Sequence, residues 1–238
     1  MRRRILVTRS EEDCRELQAL VKGAGIQVLP YPVLSFEPVR DEAGLEAVRR
    51  RLSGDGWLLF ASKRAVSPFR REARDHGLEP VLRWPAATVG SSTADTARRE
   101  GLRVEVVGPG TGRGLAEELL HRLENPTTLL FACGEDHRPE LPTLLTKAGH
   151  RVLKVIVYRM RPSGRDSLHL PETPIEGVVL TSPRSARYYL ESLDGQALAC
   201  PHWALGPTTR DAAAGLGIEC RMPARPSLES LAEELCAI

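Results

Sequence analysis

Short runs of apolar residues alternate along this chain with longer stretches in which apolar positions follow a helical period. One such run is Leu129–Cys133, and similar runs occur at 5–7, 58–60 and 178–180. Short apolar runs, each followed by an amphipathic segment, are typical of buried strands in a parallel sheet. The pattern therefore predicts an α/β fold in which helices cover both faces of the sheets.

The first of two internal repeats relates residues 5–34, segment A, to residues 129–158, segment A′, at an offset of 124. The clearest match sets Ala24–Leu29 against Ala148–Leu153. In each copy a strand is followed by an amphipathic helix, a glycine that ends the helix, and a second strand. Each A segment therefore supplies two strands.

The second repeat relates residues 57–119, segment B, to residues 177–235, segment B′. Its offset is 120 at first and 116 later, and Leu115–Leu119 recurs unchanged as Leu231–Leu235. Val89–Ala94 also matches Leu205–Arg210 at the offset of 116. Distant blocks that keep one offset rarely arise by chance, so the chain has the order A, B, A′, B′. Each B segment supplies about three strands, so one A and one B together make a five-stranded sheet.

Two pairings of these segments are possible. Neighbours can join, A with B and A′ with B′, or B can join A′ while the chain returns to pair A with B′. Residues 31–38 and 155–162, which follow A and A′, both have an extended pattern and both end at a proline. As two linkers between the same two domains they could form a short ribbon. The residues themselves leave both pairings open.

Composition and charge exclude several classes of protein. Of the 238 residues, 42% are hydrophobic and 27% charged, and the net charge of +2 lacks the basic excess of a dedicated nucleic-acid binder. The apolar runs are far shorter than the roughly 20 residues of a membrane helix, and the stretch after Met1–Arg4 is too short for a signal peptide. Five cysteines without a CxxC pair argue against a disulfide framework or zinc site and favour a reducing, cytoplasmic setting.

Residues with anion-binding chemistry follow many of the predicted strands. Ligands of parallel sheets bind beyond the carboxyl ends of the strands, where helix N-termini direct their N–H groups at the site. Helix capping alone would also explain hydroxyl side chains there. Because they recur in both copies of the repeat, we expect them to hold a ligand with several negative groups. The candidate substrate-binding residues are Thr8, Arg9, Ser62, Lys63, Ser91, Thr93, Ser182, Ser185, Gly206, Pro207, Thr208 and Thr209.

Other kinds of site find little support. The six histidines show no metal-ligand spacing, and no serine stands in a GxSxG motif. The glycine-rich run 108–114 fits neither the GxGxxG nor the Walker pattern, so we interpret it as a strand-to-helix turn. We expect no metal and no cofactor.

The order of these pieces along the chain resembles that of the uroporphyrinogen-III synthase family, from residue 6 nearly to the C-terminus. Each piece is weak alone, and their order and spacing make the likeness specific. The most distinctive piece is Gly206–Thr209 after a late strand. Lys63 and Arg64 depart from the small, proline or asparagine residues usual in that family. The other matching pieces are Leu6–Arg9, Leu59–Ser62 with Ala65–Val66, Val89–Gly90 with Thr93–Ala94, Val157–Tyr158 and Leu180–Pro183.

The resemblance implies two flavodoxin-like parallel-sheet domains joined by a two-stranded β-ribbon linker, with the active site in the cleft between them. Domain one would contain residues 1–34 and 170–238, and domain two residues 40–158. The linker strands would be 31–39 and 155–166. This arrangement selects the pairing of A with B′.

The resemblance also implies a reaction, the cyclisation of hydroxymethylbilane to uroporphyrinogen III with inversion of ring D. The substrate is a linear tetrapyrrole with eight carboxylates. Steering a ring closure that proceeds readily needs positioning more than a strong base, which agrees with the absence of a repeated carboxylate pair at the strand ends. Tyr158 matches the family's tyrosine and is the candidate acid for departure of the hydroxyl; its alternative role is packing in the ribbon. We expect a monomer that binds neither nucleic acid nor a membrane.

Two functions of other classes stay open on the sequence. A non-catalytic two-domain module could bind a tetrapyrrole or another small polyanion and leave the spontaneous product unchanged. A nucleotide-dependent enzyme could use the run 108–114.

Overall fold

The computed structural model describes residues 2–51, 54–164 and 167–237. Within these ranges the chain forms eleven strands and nine α-helices. It divides into two compact units. Unit 1 contains Met1–Ser35 and Arg161–Ile238, and unit 2 contains Phe36–Met160.

Unit 1 is built on a parallel sheet in the order β11-β10-β9-β1-β2. Its strands are β1 (Arg3–Val7), β2 (Ile26–Pro30), β9 (Gly177–Leu180), β10 (His202–Ala204) and β11 (Cys220–Arg221). Its helices are α1 (Glu11–Leu20), α7 (Pro183–Ser192), α8 (Pro207–Ala214) and α9 (Leu228–Cys236).

Unit 2 contains most of a six-stranded sheet in the order β3-β8-β7-β4-β5-β6, parallel from β8 to β6. Its strands are β3 (Leu34–Pro38), β4 (Gly56–Phe60), β5 (Ala86–Thr88), β6 (Val104–Val107), β7 (Thr128–Gly134) and β8 (Arg151–Pro162). Its helices are α2 (Glu42–Arg51), α3 (Val66–Asp75), α4 (Ser91–Arg99), α5 (Gly112–Leu120) and α6 (Glu140–Lys147), with 3₁₀ turns at Lys63–Ala65 and Glu79–Arg83.

The sheet orders show which repeat segments join. The strands of A, β1 and β2, pair with those of B′, and the strands of A′, β7 and β8, pair with those of B. If β7 is counted as the first strand of unit 2, both units have the flavodoxin-like order 2-1-3-4-5. In such sheets a ligand binds where the strand order reverses, between β1 and β9 in unit 1 and between β7 and β4 in unit 2.

The chain crosses from unit 1 to unit 2 within β3 and returns within β8, and these strands are neighbours in the sheet. In unit 2 they are antiparallel, because the Val39 N–H donates to the Val157 carbonyl while Glu37 pairs with Arg159. The predicted linker strands were 31–39 and 155–166, and Arg165 and Asp166 lie outside the described residues. Tyr31 and Val33 are buried in the core of unit 1, and the Ser163 N–H donates to the Val33 carbonyl at 3.0 Å, so the pairing extends one residue beyond the start of β3.

Each sheet has an apolar core on both faces. In unit 1, Ile5 and Val7 pack on one side and Leu6 on the other, as strand alternation requires. Unit 2 likewise has two clusters, one around Phe60 and Phe69 and the other around Phe131. Among the described residues, no helix has the length and apolar character needed to cross a membrane.

Candidate functional site

A pocket of about 370 Å³ opens at the carboxyl ends of the strands of unit 2. It lies beside the reversal of strand order between β7 and β4, where α5 and α6 begin. The lining combines apolar side chains with polar groups from the turns that follow the strands, and these polar groups are called here the polar rim. The lining residues are Ala61, Ser62, Val89, Gly110, Thr111, Gly112, Phe131, Cys133, Gly134, His137, Arg138, Glu140, Leu141 and Tyr158.

Tyr158 enters this pocket from β8. Its ring meets the Phe36 ring edge-on, with centroids 5.9 Å apart. The Arg64 guanidinium lies 3.9 Å from the centroid of the same Phe36 ring. A guanidinium over an aromatic face is attractive, so Arg64 stabilises the Phe36 ring that packs against Tyr158.

The polar rim is held by local hydrogen bonds. Ser62 Oγ accepts from the Arg64 N–H at 3.2 Å, and Thr111 Oγ1 accepts from the Gly114 N–H at 3.1 Å. His137 Nδ1 lies 3.1 Å from the Gly134 carbonyl oxygen, and its ring stands edge-on to Phe131. These contacts fix the ends of the turns that surround the pocket.

Two lining residues are unsuited to nucleophilic or strong acid–base roles. Burial raises the pKa of the Cys133 thiol to about 12, so this thiol stays protonated at neutral pH and is a poor nucleophile. The Glu140 carboxylate is paired with Arg113 at 3.3 Å. Among the other lining residues, the Tyr158 phenol and the His137 imidazole are the groups that commonly act as general acids, and Tyr158 is the one predicted from the sequence.

The equivalent edge of unit 1 carries a buried hydroxyl network. Thr8 Oγ1 donates to the Val179 carbonyl at 3.1 Å and lies 3.2 Å from Ser185 Oγ. Ser185 Oγ accepts from the main-chain N–H groups of Thr181 and Ser182 and forms a capping box with Ser182. These hydroxyls bind β1, β9 and the start of α7 to one another.

Two helices related by the repeat begin without a side-chain cap. Gly90 precedes α4 and Gly206 precedes α8, both extended and with nearly identical φ and ψ, and neither helix has a capping side-chain hydrogen bond. The first N–H groups of a helix have no partner within it, so these two ends can accept an anion. Ser91 and Thr208 are exposed in the first turns of these helices, whereas Thr93 and Thr209 are buried.

The structure divides the thirteen sequence-predicted residues between the two units. Of these, Ser62 and Tyr158 line the pocket. The other three in unit 2 are Lys63, Ser91 and Thr93, and the eight in unit 1 are Thr8, Arg9, Ser182, Ser185, Gly206, Pro207, Thr208 and Thr209.

Thr111, His137 and Arg138 also line the pocket, and they are not among the residues predicted from the sequence. Thr111 lies in the run 108–114, which forms the expected strand-to-helix turn between β6 and α5. His137 and Arg138 belong to the turn between β7 and α6. The signal available in the sequence was that residues 135–139, which include a proline, do not follow the helical pattern of the matching residues 11–15 in segment A.

No metal centre is apparent in the ranges that the structure describes. There, no three His, Cys, Asp or Glu side chains are grouped so that they could bind an ion. The polar groups of the candidate site are hydroxyl, phenol, imidazole, guanidinium, thiol, carboxylate and main-chain N–H groups.

Comparison with known proteins identifies the family. A family model described as uroporphyrinogen-III synthase HemD matches residues 15–233. A relative from Methanothermobacter thermautotrophicus is 30% identical over 162 residues, which cover 64% of this chain and 60% of that protein. The porphyrin biosynthesis protein HemD of Ruminiclostridium josui is 21% identical over 99% of this chain and 48% of its own length. The chain thus spans less than two thirds of these two curated relatives.

Solved structures share the fold. Uroporphyrinogen-III synthetase from Helicobacter pylori is 20% identical, with a TM-score of 0.69 over 100% of this chain and 99% of that one. A mutant uroporphyrinogen III synthase from Thermus thermophilus is 20% identical, with a TM-score of 0.59 over 98% and 97%. These likenesses confirm the predicted fold class.

Proposed function

We propose that this chain, which belongs to the uroporphyrinogen-III synthase family, converts hydroxymethylbilane to uroporphyrinogen III with inversion of ring D. The observation that carries this proposal is the pocket of unit 2, where the Tyr158 phenol stands among main-chain turns and polar side chains. Such a pocket suits a reaction that depends on orientation and one proton donor more than on a nucleophile or a base.

Tyr158 acts in the first step. Its phenol donates a proton to the hydroxyl of the bilane's terminal ring, the C–O bond breaks, and water leaves. The azafulvene carbon that forms is then attacked by the bridge-bearing α-carbon of the last pyrrole, which gives a spiro intermediate. The bond from that α-carbon to the neighbouring methylene bridge breaks, and the bridge carbon bonds to the other α-carbon of the same ring, which is thereby inverted. The proton lost from this second α-carbon restores the phenol.

The carboxylates of the substrate are held by groups that bind anions and take no part in the making and breaking of bonds. The uncapped ends of α4 and α8, with the exposed hydroxyls of Ser91 and Thr208, offer main-chain and side-chain donors in both units. Arg138 is exposed at the rim of the pocket and adds a charged donor. Ser62, Lys63, Ser182 and the other predicted residues contribute by shaping these turns.

The setting of the enzyme is part of the same proposal. The chain acts as a cytoplasmic monomer without cofactor or metal, and it binds neither nucleic acid nor a membrane. The net charge of +2 and the cysteines without a CxxC pair support this setting.

The test is the isomer ratio of the product. The full chain is incubated with hydroxymethylbilane in the presence of a chelator, the products are oxidised, and the type I and type III isomers are separated and quantified. We expect the type III isomer to dominate, while buffer alone gives type I. Type I alone in the presence of the protein would refute synthase activity and would favour the non-catalytic binding module.

A further inference from the structure

The position of Tyr158 depends on an irregularity between β7 and β8. Cys133 pairs with Ile156 and Gly134 pairs with Tyr158, so Val157 has no opposite residue on β7. As a result Val157 and Tyr158 both pack against the same core cluster, which regular alternation along a strand does not allow. A bulge of this kind re-aims the side chain that follows it.

The Tyr158 ring then lies directly over Gly134. A methyl group on Gly134 would stand 2.6 Å from Tyr158 Cζ, 2.7 Å from Cε2 and 2.9 Å from the phenolic oxygen. Carbon atoms in contact are separated by about 3.5–4.0 Å. Any side chain at this position would therefore displace the ring.

The backbone gives no other reason for a glycine here. Gly134 is absent from the glycines with positive φ, which include Gly110 and Gly149. Alanine is compatible with its backbone, so the phenol ring is the group that excludes a side chain. Phe36 packs edge-on against the ring, with 5.9 Å between centroids, and limits its movement on that side.

We propose that Gly134 is a positioning residue that seats the Tyr158 phenol at the pocket and so determines where its proton is delivered. This inference rests on the proposed function, because it takes the phenol as the proton donor. The Glu135 N–H donates to the Tyr158 carbonyl at 2.9 Å, so the main chain of Tyr158 is held while the ring occupies the space over Gly134.

The kinetic test compares Gly134→Ala, Tyr158→Phe and the double variant in the full chain. We expect Gly134→Ala to lower kcat for the type III product by about the factor that Tyr158→Phe does, on the order of 10²-fold, with KM within about twofold. The double variant is expected to lose no more than the worse single variant, because both changes remove one function. Wild-type kcat in Gly134→Ala, or losses that multiply, would overturn the proposal.

A stability test checks the contact without reference to activity. Gly134→Ala is expected to lower Tm in the wild-type background and to leave Tm unchanged in a Tyr158→Ala background, where the ring is gone. Gly164→Ala is the matched control, because a methyl group there has no atom within 4 Å, and it should leave Tm unchanged in both backgrounds. An equal drop in Tm for Gly134→Ala in both backgrounds would refute the contact.

The two tests separate the two proposals. If the wild-type chain yields only the type I product, the proposed function fails, and the Tm comparison still decides whether Gly134 seats the ring. If Gly134→Ala does not fold but the double variant with Tyr158→Ala does, that rescue supports the contact.

Discussion

Unit 1 and unit 2 have the same strand order and differ in how their strands end. In unit 1, three residues, 8–10, connect β1 to α1, and hydroxyl groups join the strand ends to one another. In unit 2, five residues, 135–139, connect β7 to α6, and a pocket opens beside them. The repeated scaffold therefore provides two potential sites, and only one of them carries Tyr158.

The repeat offsets show which side chains make this difference. Thr8, Thr181 and Ser185 form the network in unit 1, and the residues at the corresponding positions of unit 2 are Ala132, Ala61 and Ala65. Hydroxyls at these positions join strand ends by hydrogen bonds, whereas the alanines have no side-chain donor or acceptor. Of the three alanines, Ala61 lines the pocket, and Ala65 and Ala132 pack in the apolar core. A duplicated unit can thus keep its fold in both copies while one copy loses polar ties and gains a cavity.

The largest expected effect comes from removing the Tyr158 hydroxyl, the proton donor that unit 1 lacks. Tyr158→Phe should slow formation of the type III isomer on the order of 10²-fold, because a positioned general acid contributes about that much or more. Circular dichroism and Tm should stay near wild type. Tyr188→Phe in unit 1 is the control and should keep wild-type kcat. A Tyr158→Phe rate within twofold of wild type would remove the phenol from the reaction.

The next largest effect concerns the network of unit 1. Ser185→Ala should lower the free energy of unfolding by about 1–3 kcal/mol, because the part-buried Ser182 N–H loses its acceptor and the buried Thr8 hydroxyl loses its contact with Ser185 Oγ. Denaturant titration measures this change. Ser92→Ala, an exposed serine of α4, should change it by less than about 0.5 kcal/mol. Equal effects of the two substitutions would show that the buried hydroxyls do not tie the strands.

A reciprocal exchange tests whether space at the strand ends of unit 2 matters. Ala61→Thr gives unit 2 the side chain that unit 1 has, and it should reduce kcat/KM by about tenfold, or about 1.4 kcal/mol, because it narrows the pocket. Thr181→Ala makes the opposite exchange in unit 1 and should leave kcat/KM within twofold. If Ala61→Thr keeps wild-type kcat/KM, the pocket is not where the substrate reacts.

The smallest effect is a pH dependence of stability in unit 1. His202 is buried, with Nε2 3.0 Å from the Tyr189 hydroxyl, and burial lowers its pKa below the ordinary 6.5. The folded state therefore holds the imidazole neutral, and as pH falls below 6.5 the unfolded state takes up a proton that the folded state does not. The free energy of unfolding should fall in that range. His202→Gln should flatten the fall measured between pH 7 and 5, and an unchanged slope would contradict this origin.

The fold was predictable because the same pattern of strands and helices occurs twice along the sequence. The match of Ala24–Leu29 with Ala148–Leu153 and the recurrence of Leu115–Leu119 define segments whose strands the structure joins as A with B′ and A′ with B. Choosing between the two pairings needed the resemblance, because local patterns do not encode which of two similar segments a distant strand will meet.

The candidate site was predictable only in part. Hydroxyls at strand ends could be found from the sequence. Those of Thr8 and Ser185 are buried and bonded to other groups of the protein, and the sequence pattern does not show this because burial depends on tertiary structure. His137 and Arg138 lie where the two copies diverge, and a search for features common to both copies overlooks such positions. The bulge that orients Tyr158 depends on the register between β7 and β8, and no residue type in the sequence indicates that register.

The central claim is that the substrate reacts in the pocket of unit 2, against Tyr158. The most direct measurement is a crystal structure of the chain with a linear tetrapyrrole that lacks the leaving hydroxyl. We expect the terminal ring that carries the methyl group to enter this pocket, with the methyl carbon within about 3–4 Å of the Tyr158 oxygen. A hydroxyl on that carbon would then lie within hydrogen-bond reach of the phenol. A terminal ring bound elsewhere, with the pocket of unit 2 unoccupied, would contradict it.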